Sequence, residues 1–176
     1  MIDWQATKKV IHDWTSGITG IALNRVIWSH GNAPAPSLPY ITLEVFNGLS
    51  KDGTPSMDYD TEAQKFKSRI TKKFTLTVQA FGNMALELLE KIQNGADNPL
   101  ELEKLIKNGI SVVRTYEIAN INKLINTEYE NRYSMDIDFY ISDTNELTGL
   151  EPIEKIEMSG NVDDRQILDN KILGGV

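Results

Sequence analysis

Two histidines and no cysteine leave this chain few groups able to do covalent or metal chemistry. His12 sits one residue off the apolar stripe of a predicted helix and reads as a helix-surface residue. His30 closes a predicted short strand and reads as a turn residue. No HExxH, GxSxG, SxxK, GxGxxG or GxxxxGK pattern occurs, so zinc-protease, serine-hydrolase, dinucleotide and phosphate-loop chemistry lack their sequence marks. Without cysteine, disulfides and thiolate metal sites are excluded. Asp136-Ile137-Asp138 is the one DxD pair whose carboxylates a strand would point the same way. On an alternating strand the same two residues read as solvated charges of the polar face, and Asp163-Asp164 is a weaker pair still. No catalytic residue, metal site or cofactor is expected.

A more informative chemistry is electrostatic. By strand parity, Lys65, Lys67, Arg69 and Lys73 share one face of a long strand, and Glu128, Glu130, Asp136 and Asp138 share one face of another. Three readings stand. The stripes are two solvated outer faces whose lysines discourage edge pairing; or they meet, across strands or between subunits; or the basic stripe touches DNA.

The elements that place these residues follow from periodicity. Ile2, Ala6, Val10, Trp14 and Ile18, with Ile11 beside them, predict a helix over residues 2–16. Arg25–Ser29 predicts a short strand. Three of the six prolines fall in Pro34-Ala35-Pro36-Ser37-Leu38-Pro39, a stiff extended arm that cannot pair as a central strand. It leads into a strand from Tyr40 to Phe46 with Ile41, Leu43 and Val45 inward. Residues 47–64 are polar, rich in Gly, Ser and Asp and without a period, which predicts a long loop.

Ile70, Phe74, Leu76, Val78 and Ala80 alternate with Thr71, Lys73, Thr75, Thr77 and Gln79, the clearest strand in the chain, of a length that often projects as a hairpin. Two helices follow. Ala85, Leu88, Leu89 and Ile92 line the first, which Asn94-Gly95 should stop. Asn98 as N-cap, Pro99 at the first position and Glu101 open the second, with Leu102, Leu105 and Ile106 as its stripe and Asn108-Gly109 as its left-handed end. Ile110, Val112 and Val113 begin another strand. In residues 132–141, Tyr133, Met135, Ile137, Phe139 and Ile141 alternate with polar partners. A last strand is expected over Ile153–Met158, with a tail over 161–176 that is disordered alone or docked on a neighbour. The order predicts an α+β domain over residues 1–160, a mainly antiparallel sheet with helices packed on one face.

With 176 residues the chain can bury one real core, and its composition is 40% hydrophobic and 24% charged. A formal charge of −7 argues against a dedicated nucleic-acid binder, which carries a basic face. The N-terminus lacks the basic start and apolar run of a signal peptide. No apolar run is long enough to span a membrane.

Five segments in order resemble the phage neck or tail terminator proteins. They are Asn32-Ala33-Pro34-Ala35-Pro36 with Leu38-Pro39-Tyr40-Ile41-Thr42-Leu43; Thr77-Val78-Gln79-Ala80-Phe81-Gly82; Asn108-Gly109-Ile110; Glu128-Tyr129-Glu130-Asn131-Arg132 with Ser134-Met135-Asp136-Ile137-Asp138-Phe139; and Ile153-Glu154-Lys155-Ile156-Glu157-Met158-Ser159-Gly160. The resemblance implies a tail-terminator-like α+β fold and a structural, non-enzymatic role in the virion. It implies a six-subunit ring that caps the tail tube, ends its growth and joins the tail to the head–neck complex. The implied partners are further copies of the chain, the tail tube protein and a neck or head-completion protein, with the sheath as a further candidate. DNA would pass through the lumen without specific binding. The protein would be made in the host cytoplasm and sit at the neck–tail junction. A head-completion or stopper protein and a non-virion tail-assembly factor are the alternatives. Candidate interface residues are the two charged stripes together with Trp28 and His30, which the proline arm holds at a fixed distance from the sheet.

Overall fold

Period-two alternation over residues 70–80 and 132–141 builds the centre of one sheet. A computed structural model describes residues 2–31, 34–60, 65–125, 128–147, 155–156, 160–162, 165–167 and 172–173. In chain order these form α1 (Trp4–Thr19), β1 (Val26–Trp28), β2 (Tyr40–Asp60), β3 (Lys65–Phe81), α2 (Ala85–Ala96), α3 (Pro99–Ile106), β4 (Ile110–Thr115), β5 (Ala119–Asn120), β6 (Lys123–Ile125), β7 (Glu128–Glu130) and β8 (Arg132–Leu147). Four short strands end the chain, β9 (Lys155–Ile156), β10 (Gly160–Val162), β11 (Arg165–Ile167) and β12 (Ile172–Leu173). The main sheet runs β1-β2-β3-β8-β4, with β5 also on β8. Every pairing in it is antiparallel except β1 on β2, where Val26 lies opposite Ile41 and Trp28 opposite Leu43. The fold is α+β, as the alternation predicts.

Register decides the core. Phe74 lies opposite Phe139 and Leu76 opposite Ile137, so the apolar sides of β3 and β8 coincide. Leu43, Val78, Met135 and Ile110 extend the same face, and α1, α2 and α3 cover it. Phe74 and Phe139 stack with centroids 5.3 Å apart, and the rings of Trp4 and Trp14 meet them edge-on. Each such pair adds roughly 0.5–1.5 kcal/mol beyond burial.

The helices follow their expected positions with instructive shifts. Asp3 caps α1, accepting a bond from the Ala6 amide at 3.0 Å. Its buried face is Thr7, Ile11, Trp14, Thr15 and Thr19, whereas Ala6 is exposed and Val10 half-buried, so the expected stripe is about one position out of phase. The threonines can be buried because each hydroxyl donates to the carbonyl four residues back, at 2.7–2.8 Å. In α2 the expected stop at Asn94-Gly95 fails. The helix continues through Gly95, where a Cβ would meet Ile18 Cδ1 at 2.6 Å. That glycine sets how closely α2 approaches α1. Asn98, Pro99 and Glu101 open α3 as expected, and Gly109 takes the left-handed conformation at φ 72°. Leu105 is fully buried, but Ile106 is 58% exposed and lies off the buried stripe.

The largest correction concerns residues 47–64. Residues 47–60 are not a loop. They continue β2, paired with β3 as far as Asp60 opposite Lys65, with register shifts after Val45, Asn47 and Asp52. On its other side β3 stays paired with β8 out to Phe66 opposite Leu147. The result is a three-stranded arm that leaves the helix layer near Ile70. The proline segment ends in a cis Leu38–Pro39 bond, and Gly82 at φ 99° lies against Leu38 and Pro39. Of the strand expected over Ile153–Met158, only 155–156 is described, as β9 paired with β12; β10 pairs with β11.

Candidate interaction surface

Helices occupy one face of the sheet, and among the described residues none packs on the other face or on the arm. The polar face carries a hydrogen-bonded network rather than a row of solvated charges. Asp138 is only 2% exposed. Its carboxylate accepts from Thr75 Oγ1 at 2.7 Å and Tyr116 OH at 3.0 Å, and pairs with Lys73 Nζ at 2.8 Å. The sequence reading of Asp138 as solvated is therefore wrong. A bulge in β4 between Val112 and Arg114 precedes Tyr116, whose hydroxyl caps the site. Burial pushes the Asp138 carboxyl up, but the bonds from Lys73, Thr75 and Tyr116 outweigh it and hold the group below its ordinary range. The same bond holds Lys73 above the usual lysine value. Asp136 accepts from Thr77 Oγ1 at 2.6 Å. Among the described residues no three His, Cys, Asp or Glu side chains gather to hold a metal.

The two charged stripes thus meet inside one subunit, but only in part. Lys73 finds Asp138, while Lys67 pairs with Asp60 of β2 at 2.8 Å and Lys65 with Glu146 of β8 at 3.2 Å. The Asp60 carboxylate raises the Lys67 ammonium above its usual value. Arg69 is exposed, and among the described residues it has no ion pair. Glu128 and Glu130 do not share a strand with Asp136 and Asp138. They lie in β7, which pairs with β6 as a separate ribbon. Asp60 and Glu146 were the partners the sequence did not offer, because neither stripe contains them.

Trp28 and His30 sit at the root of the arm. The Lys8 ammonium lies 5.0 Å from the Trp28 ring centroid. His30 adopts φ 65°, unusual for a side chain with a Cβ, and its Nε2 lies 2.9 Å from Glu44 Oε1. His12 is not a free surface residue. Its Nε2 donates to the Val26 carbonyl at 2.8 Å, tying α1 to β1.

At the other end of the polar face, Tyr40 stacks on Phe81 with centroids 4.4 Å apart, and the Arg132 guanidinium lies 4.9 Å from the same ring. Burial, reinforced by Glu130, raises the Tyr40 hydroxyl above its ordinary value.

The structure is thus an α+β domain with one helix-covered face, a hydrogen-bonded polar face and a projecting three-stranded arm. The chain belongs to the phage neck terminator protein family, whose sequence model matches residues 5–166. That membership gives it a structural role in the neck of a phage particle. No curated protein matches the chain.

Proposed function

We propose that the protein is a tail or neck terminator that assembles as a hexameric ring. The ring caps the tail tube, ends its growth and joins the tail to the head–neck complex, and DNA passes through without specific binding. The observation that carries this reading is the family match, which spans almost the whole α+β domain. Closed rings use heterologous contacts, in which one patch meets a different one. A long arm, and at its root a cleft whose walls include Trp4, Trp28, Glu44 and Val45, suit that requirement. A net charge of −7 suits a conduit, because cationic contacts would hold DNA through counterion release. The partners this implies are neighbouring copies, the tail tube protein and a neck or head-completion protein. Arg69, the basic-stripe residue without an ion pair among the described residues, is the first candidate for such a contact.

Electron microscopy of particles carrying a tag on this subunit tests the reading. Six copies in one ring at the neck are expected. A location outside the neck, a monomeric subunit in the particle, or absence from purified particles would overturn it.

A further inference from the structure

We infer that the ring contact joins the two lateral edges of the sheet, the β1–β2 edge of one copy against the β4–β5 edge of the next. The inference rests on the ring reading above and deepens it by naming the surfaces that meet.

The two edges carry opposite charge. On the β1–β2 side, Lys8 lines the cleft at the arm root, and Lys51 lies two residues beyond Leu49 of the cleft wall. Arg25 leads into β1. Among the described residues none of these three has an ion pair. Glu44, the acid in the cleft wall, is engaged by His30 at 2.9 Å.

The opposite side is acidic. From Ile110 to Ile121 the chain runs along β8, with no strand on its outer side among the described residues. Gln93 of α2 donates to the Tyr116 carbonyl at 3.3 Å, so α2 borders this edge. Glu90 and Asp97 lie a turn before and a turn after Gln93 on the same side of α2, and Glu117 follows Tyr116. All three acids are exposed and have no ion pair among the described residues. Arg114, a base on this edge, is drawn over the Tyr116 ring, 4.7 Å from its centroid.

Exposed apolar side chains sit among these charges, Phe46 and Leu49 on the first edge, Val113 and Ile121 on the second. A continuous backbone ladder between the edges is ruled out. β2 contains Pro55, which has no amide hydrogen, and three register shifts, and β4 bulges between Val112 and Arg114. Side chains therefore make the contact.

The fold requires that the two edges come from different copies. β3 and β8 stand between β2 and β4, so the edges lie three strand spacings apart, roughly 14 Å, and face away from each other. A contact between two unlike patches repeats head to tail, the form of contact that closes a ring.

Charge reversal in full-length chains tests this. Lys8→Glu/Lys51→Glu gives a chain with two acidic edges, and Glu90→Lys/Glu117→Lys one with two basic edges. Each alone should need at least about tenfold more protein than the wild type for half-assembly. An equal mixture should assemble at wild-type concentrations, as rings of alternating variants read by native mass spectrometry. Either variant assembling alone like the wild type, or a mixture no better than its components, would overturn the contact. The absence of cysteine gives a second readout that leaves every charge in place. Leu49→Cys and Val113→Cys chains, mixed, assembled and treated with a short bismaleimide, should form a linked dimer that neither forms alone. Assembled rings that give no link, a link between two Leu49→Cys chains, or a link only to another particle protein would overturn the contact and leave the ring reading standing. A wild-type chain that forms no ring in particles would remove both.

Discussion

Lys73 of β3 places its ammonium 2.8 Å from Asp138 of β8, a carboxylate almost sealed from solvent. The pair locks the two central strands on the face that no helix covers. Asp138→Ala leaves Thr75, Tyr116 and Lys73 without their acceptor. A loss of about 1–3 kcal/mol in urea unfolding is expected. Equal stability of the variant and the wild type would show that the network contributes nothing net.

The same group fixes a pH dependence. Asp138 and Asp143 are both held below the ordinary carboxylate value, Asp143 chiefly by the bond from Lys72 at 2.6 Å. A carboxyl depressed by folding adds stability that is present above its unfolded value and lost as pH falls through its folded value. The stability gap between wild type and Asp138→Asn should therefore hold steady from pH 7 to pH 5 and shrink below about pH 4. A gap that widens on acidification has the wrong sign.

Arg69 and Lys67 separate assembly from folding. Arg69→Glu alters an exposed side chain with no ion pair among the described residues, so it should leave the melting temperature unchanged while lowering ring yield. Lys67→Glu also breaks the bond to Asp60, so it tests the arm and the interface together. Normal rings from Arg69→Glu, read by native mass spectrometry, would remove Arg69 from the interface.

Gly95 should resist a change that usually helps a helix. Glycine to alanine in a helix interior gains roughly 1 kcal/mol. Here the new Cβ would meet Ile18 Cδ1 at 2.6 Å, so Gly95→Ala is expected to destabilise. Adding Ile18→Val removes that atom but keeps Cγ2 and Cγ1, which lie 3.0 and 3.2 Å from the new Cβ, so it should recover part of the loss, a coupling that a double-mutant cycle measures.

Shortening the arm tests its role directly. Replacing residues 57–68 by Asn-Gly joins Ser56 to Arg69, which already lie opposite each other, and spares buried Ile70. The far-UV spectrum of the remaining fold should be intact and head–tail joining lost. Normal infectious particles from this variant would leave the arm without a joining role.

The legible parts of this fold are those where one physical signal acts alone. Alternation over residues 70–80 and 132–141 fixed both faces of β3 and β8, because one side of each must leave water. Asn98, Pro99 and Gly109 marked α3 because each answers a backbone need at a helix end. Residues 47–60 looked like a loop because both faces of that strand are solvated, and three register shifts erase any period. The face of α1 was misphased because Thr7, Thr15 and Thr19 satisfy their hydroxyls within the helix and bury like apolar residues. The burial of Asp138 depends on Tyr116, which arrives from another strand after a bulge, and no local pattern announces it. The family resemblance was legible because its five pieces are spread along the chain in order.

The arm also has a mechanical meaning. Its strands run lengthwise, and β3 is bonded to β2 on one side and to β8 on the other. A pull along the arm axis strains many backbone bonds at once, in shear. A sideways peel at the tip would open them one by one. A neighbour gripping this arm along its length could therefore carry tension through the joint without unravelling the subunit that supplies it.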